Sequence, residues 1–162
     1  MSPTISISIQ DVRWRAVPHI RKLTRHAIVA CVEVVDPALH ASAELSVLLC
    51  GNATIRELNK TWRGIDTATN VLSFPAGTPG LQPLLGDVVI AFETVDLEAR
   101  VEAKTIPEHY LHMVVHGFLH LVGYDHVKVR DARIMEEQER RILARLEVKD
   151  PYVRRTRKAA NK

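Results

Sequence analysis

The run HGFLHLVGYDH, residues 116–126, constrains this chain more than any other segment. His116 and His120 are four positions apart, so on a helix their side chains leave the same face about one turn apart. Two imidazoles placed in this way can converge on one ion. Gly123 is the residue type that adopts the left-handed conformation ending a helix, so the chain can turn there and return His126 as a third nitrogen. Three protein nitrogens leave one position open for water or substrate, which marks a catalytic zinc site; structural sites are normally closed by four ligands, usually including cysteine. Cys31 and Cys50 lie far from the run and lack metal-type spacing.

The predicted helix carries further histidines, His109 and His112, near the same face. His112 and His120 are separated by about 12 Å along the axis, at ~1.5 Å per residue, and cannot share an ion with bonds of about 2 Å. The third ligand is therefore expected beyond the turn, with His126 the first candidate and Asp125 the weaker one. His112, one turn before His116, is an outer partner of the centre, a proton shuttle or a structural residue. After the first histidine stands Gly117, where zinc peptidases of the H-E-x-x-H type carry a glutamate base. The ligand spacing is kept without that base. This points to metal-assisted chemistry on a substrate that need not be a peptide.

A chain of 162 residues fits one domain. Two lone thiols do not suggest a disulfide framework, and a reducing cytoplasm is the expected setting. No apolar run approaches the length of a membrane span, so no membrane partner is expected. The net charge of +3 hides an asymmetry. Residues 149–162 hold Lys149, Arg154, Arg155, Arg157, Lys158 and Lys162 against Asp150, a balance of +5, and leave −2 on the body. Residues 1–148 are accordingly expected as a single catalytic domain, and 149–162 as a basic, flexible tail.

Hydrophobic periodicity gives an α+β order. Residues 4–10, 43–50, 71–74 and 87–91 read as strands. Helices are expected over 17–35, over 93–103 and over 128–146, the last with Ile134, Ile142 and Leu146 inward. Asn52 is the predicted N-cap of a short helix reaching Asn59. Thr105 and Glu108 form a capping box that starts the histidine helix, which Met113, Val114, Leu119 and Leu121 would anchor in the core. Residues 75–86, with three prolines and three glycines, read as a loop and a candidate substrate lid. The expected fold is a small mixed sheet packed with helices, the metal-binding helix at its centre.

Three segments together resemble the YbeY family of bacterial endoribonucleases. They are HGFLHLVGYDH, the stretch LNKTWRGID at 58–66 leading into TNVLSFP at 69–75, and LGDVVI at 85–90. The resemblance covers roughly residues 40–148. It implies a zinc-metalloprotease-like α+β fold whose four-stranded mixed sheet has one antiparallel edge. It also implies an endoribonuclease acting on single-stranded RNA in ribosomal RNA maturation, notably at the 3′ end of the small-subunit (16S) species, and in ribosome quality control. The implied partners are precursor ribosomal RNA, the small ribosomal subunit and its assembly proteins. Arg63 matches the family's catalytic arginine. A guanidinium suits that role because it can bind two oxygens of a phosphate gathering charge. Zn²⁺ is the expected ion at His116, His120 and His126, and nickel or cobalt would also suit imidazole donors.

Two rival readings share these residues. A metallopeptidase would need an acid such as Glu108 or Glu136 in the cleft to replace the base missing at Gly117. A non-catalytic ribosome-assembly factor would use the metal only to stabilise its fold. Aromatic residues make up 5% of the chain and are scattered, which argues against a stacking platform of the kind single-strand binders use.

Overall fold

The computed structural model describes residues 2–39, 42–77 and 83–153. Its sheet has four strands, β1 (Thr4–Ile9), β2 (Glu44–Cys50), β3 (Val71–Pro75) and β4 (Leu84–Ala91), in the order β1-β2-β4-β3. The first three in that order run parallel, and β3 pairs antiparallel with β4 at the edge. Among the described residues five α-helices pack with it: α1 (Ile20–Val35), α2 (Asn52–Arg63), α3 (Phe92–Val101), α4 (Ile106–Leu121) and α5 (Val129–Arg145). This is the α+β fold with a mixed four-stranded sheet that was expected.

The two faces of the sheet are covered by different helices. Side chains alternate along a strand, and β4 separates them accordingly: Val88 and Ile90 join the large core with α1, α4 and α5, while Val89 and Ala91 pack with Leu72 and Ile55 of α2. Helix α4 is the centre of the large core. It packs against α1, α3, α5, β3 and β4, and Met113, Val114, Leu119 and Leu121 are buried as the sequence suggested.

Several boundaries differ from the sequence reading. Helix α1 starts at Ile20 instead of 17, because Val17 precedes Pro18 and is extended, closing a 3₁₀ turn over Val12–Ala16. Asn52 is the first residue of α2 and not its cap; Gly51 is the N-cap. Glu93, at the start of α3, accepts the Asn52 N–H at 3.0 Å, and the Asn52 side chain instead accepts from the Thr94 hydroxyl. The same helix continues past Asn59 to Arg63 and ends at Gly64, whose φ of 71° is left-handed. Part of the segment expected as a loop over 75–86 is strand: Pro75 pairs with Gly86, and Ala76 N–H donates to Leu85 C=O. Proline is tolerated there because β3 is an edge strand. The lid expectation falls largely on 78–82, outside the described residues.

On α5 the buried stripe is Met135, Glu139, Ile142 and Leu143, whereas Ile134 is 45% exposed. Met135 thus takes the inward place expected of Ile134, while Ile142 is buried as expected and Leu146 packs partly buried on the core, and the stripe places an acid among apolar neighbours. After α5 the chain folds back on it. Arg140 pairs with Asp150 at 3.0 Å and its guanidinium lies over the Tyr152 ring. Residues 154–162, with most of the basic charge of the expected tail, lie outside the described residues.

Candidate metal centre

Thr105 caps α4, its hydroxyl accepting the Glu108 N–H at 3.3 Å. Sixteen residues later the helix closes through a Schellman turn. Tyr124 N–H donates to Leu119 C=O at 3.0 Å and Gly123 N–H to His120 C=O at 3.2 Å, with Gly123 at φ 101°. This turn delivers His126 to the face carrying His116 and His120. Asp125, the weaker ligand candidate, does not join them; its carboxylate accepts the Val127 N–H at 3.2 Å and shapes the turn.

One nitrogen from each of His116, His120 and His126 falls within 4.8 Å of the others. Nε2 of His116 and Nε2 of His120 are 3.1 Å apart. Nitrogens bound at about 2.0–2.1 Å to one tetrahedral ion lie roughly 3.3 Å apart, so the pair is spaced as two corners of such a site. Burial, followed by the neighbouring His116 and His126, lowers His120 to a pKa of about 4. His120 is therefore neutral near pH 7 and offers a lone pair. His126 is exposed and the other two half-buried, so the cluster faces outward. Beside it is a cleft of about 330 Å³ whose walls include His116, His126, Met135, Glu136, Glu139 and Tyr152. The donor set fits a divalent ion with an open position.

Behind the cluster lies a second group. Glu139 is paired with Nε2 of His112 and with Nδ1 of His116, the latter at 3.2 Å, and accepts the Tyr152 hydroxyl at 2.8 Å. Burial alone would raise the Glu139 pKa, but the hydrogen bonds from His112 and His116 outweigh it and bring it to about 2. Tyr152 is pushed up by burial and by the Glu139 charge, so it keeps its proton and donates. His109 belongs to neither group: it is buried, 2.9 Å from Glu98 on α3, which also accepts from Asn70.

Arg63 is exposed at the end of α2 and is not among the residues lining the cleft. Helix α2 covers the Leu72–Val89 face of the sheet, whereas Gly117 of α4 faces Val71, Ser73 and Val88. The histidines and Arg63 thus sit on helices on opposite faces of the sheet, both packed against the edge strand β3.

The family model for endoribonuclease YbeY matches residues 6–147. The chain belongs to the YbeY endoribonuclease family. Among relatives, endoribonuclease YbeY of Methylocella silvestris is 44% identical over 153 residues, covering 94% of this chain and 87% of the relative. Endoribonuclease YbeY of Beijerinckia indica is 47% identical over 94% of this chain and 78% of its own. The solution structure of TM1509 from Thermotoga maritima superposes with a TM-score of 0.58 at 25% identity, covering 93% of this chain and all of that one. YbeY proteins are metal-dependent hydrolases, and an RNA substrate follows from the family. No helix among the described residues is long and apolar enough to cross a membrane.

Glu139 and Tyr152 were missed in the sequence. A signal for Glu139 was present, since an acid stands where the i, i+4, i+7 pattern from Met135 to Ile142 calls for an apolar residue. Tyr152 lies in a stretch read as tail and gave no such signal.

Proposed function

We propose that the protein is a single-strand-specific endoribonuclease that matures the 3′ end of small-subunit (16S) ribosomal RNA and acts in ribosome quality control. In this reading it works with the small ribosomal subunit and its assembly proteins in the cytoplasm. The observation that carries the reading is that His116, His120 and His126 each bring a nitrogen within 4.8 Å of the others, the first two 3.1 Å apart, in a chain of this family. These residues hold the ion, with Zn²⁺ favoured by three imidazoles and an open fourth position. When bound, such an ion supplies a Lewis acid and a water of lowered pKa. His120, neutral, gives its lone pair, while Arg63 meets phosphate oxygens of the RNA. Because Arg63 is carried on the other face of the sheet, the RNA strand would pass the edge strand β3 to touch both.

Glu136 lines the cleft and is the acid a peptidase reading would require. Assays of one purified sample on RNA and on peptide, each with and without chelator, separate the two. We expect chelator-sensitive cleavage of single-stranded RNA and none of peptide. His116→Ala, His120→Ala and His126→Ala should each lose bound metal and RNA cleavage. About one equivalent of metal retained by His126→Ala sinks the three-histidine assignment.

A further inference from the structure

Glu139 is a charged side chain on the buried face of α5, only 1% exposed. A carboxylate in that setting is costly unless donors match its oxygens. Three donors do. The Nδ1–H of His116 reaches Oε1, and the Tyr152 hydroxyl and Nε2–H of His112 reach Oε2. An ionised carboxylate only accepts, so the bond to His116 requires the proton on Nδ1. The lone pair of His116 then sits on Nε2, the nitrogen 3.1 Å from Nε2 of His120. Tyr152 is itself fixed. Its N–H donates to Asp150 Oδ1 at 2.8 Å, Asp150 pairs with Arg140, and the Arg140 guanidinium lies 5.3 Å from the Tyr152 ring centre.

We propose that Glu139 is the positioning residue of the metal centre: it fixes His116 in the tautomer and ring orientation that present Nε2 to the ion, and Tyr152 holds Glu139 for that task. This rests on the reading that His116, His120 and His126 are the ligands. The structure also sets a competing arrangement to be tested, because His112, His116 and Glu139 lie within 4.8 Å of one another and could hold an ion themselves. In that arrangement Glu139 is a ligand. In ours its oxygens are occupied by three donors, and it acts on the ion only through His116.

The test uses the full chain and two probes, Zn²⁺ affinity by competition with a chromophoric chelator and the visible spectrum of bound Co²⁺. Partners behind a ligating histidine typically contribute about 10–100-fold in metal affinity. Glu139→Gln, close in shape, should weaken Zn²⁺ by that factor and alter the Co²⁺ spectrum while the circular dichroism stays folded. Tyr152→Phe should weaken Zn²⁺ less, and should add nothing in a Glu139→Gln background, since its effect passes through the carboxylate. Affinity within twofold of wild type for Glu139→Gln, with an unchanged Co²⁺ spectrum, overturns the proposal and leaves the three-histidine reading intact. Normal binding by His126→Ala combined with none by Glu139→Gln overturns both and places the ion on Glu139.

Discussion

A Cβ built on Gly117 would stand 2.6 Å from Cγ1 of Val88. It would also meet Val71 at 3.2 Å and Ser73 Oγ at 3.3 Å, and Ser73 already donates to the Gly117 carbonyl at 2.8 Å. The position after the first histidine therefore faces the sheet at contact distance. A glutamate base has no room there, so the missing peptidase base is a consequence of how closely α4 approaches β3 and β4.

Gly117→Ala sets helix propensity against packing. Alanine favours the helix by about 0.8–1.0 kcal/mol, while forcing a methyl into a filled core costs typically about 1–3 kcal/mol. The nearest atoms lie on the sheet, so packing should win. We expect a net loss of roughly 1 kcal/mol in urea unfolding. A gain in stability would show that the helix can move away from Val88 at little cost.

His109 should make stability depend on pH. Burial lowers its pKa from the ordinary 6.5, and the bond to Glu98 offsets this only in part. The unfolded chain thus takes up the proton first. The contribution of neutral His109 is complete above about pH 6.5 and is lost as the pH falls from there through the lowered folded value. Urea midpoints measured with chelator from about pH 7.5 down to about pH 5 should fall more steeply for wild type than for His109→Gln. Equal slopes would mean that Glu98 holds the proton on His109 in the folded state. Metal content of the variant should match wild type.

Arg63→Lys tests the phosphate role, because lysine cannot make the two-pronged contact of a guanidinium. Loss of one such donor to the transition state lowers kcat by roughly 10²–10³. Metal content and melting temperature should not change, given that Arg63 is exposed and remote from the core. A rise in KM at constant kcat would instead place Arg63 on a phosphate away from the scissile bond. Near-normal cleavage by Arg63→Ala would reduce it to a surface residue.

The basic residues at the end of the chain can be separated from Tyr152. Deleting 154–162 removes five of the six cations after residue 148 and keeps the hydrogen bond between Tyr152 and Glu139. RNA affinity should fall and its salt dependence flatten, by about 0.7 in log–log slope for each phosphate no longer neutralised. Turnover at saturating RNA should hold. A full salt slope in the truncated protein would assign the attraction to the body.

The sequence was informative where one residue type had one local reason to be there. The helix-stop glycine and the spacing of His116, His120 and His126 could be read because both are properties of a few consecutive residues. Strand identities were readable for the same cause, since the alternation in residues 4–10 and 43–50 survives in β1 and β2. Properties that depend on what packs across the chain were not. Asn52 looks like a cap, yet Glu93 from another helix takes its N–H. Arg63 lies within the family stretch in sequence, but which face of the sheet α2 covers is decided by Ile55, Leu72 and Val89 together. Ile134 and Met135 are both apolar, and only the neighbouring helices choose between them.

All four strands end by Ala91, before the first histidine of α4 is reached. On the ribosome the platform is therefore synthesised before the donors, and Tyr152 follows them all. Domains are made from the N-terminus onward. A nascent chain of this kind lays down its sheet before the histidine cluster and the Glu139 that backs it.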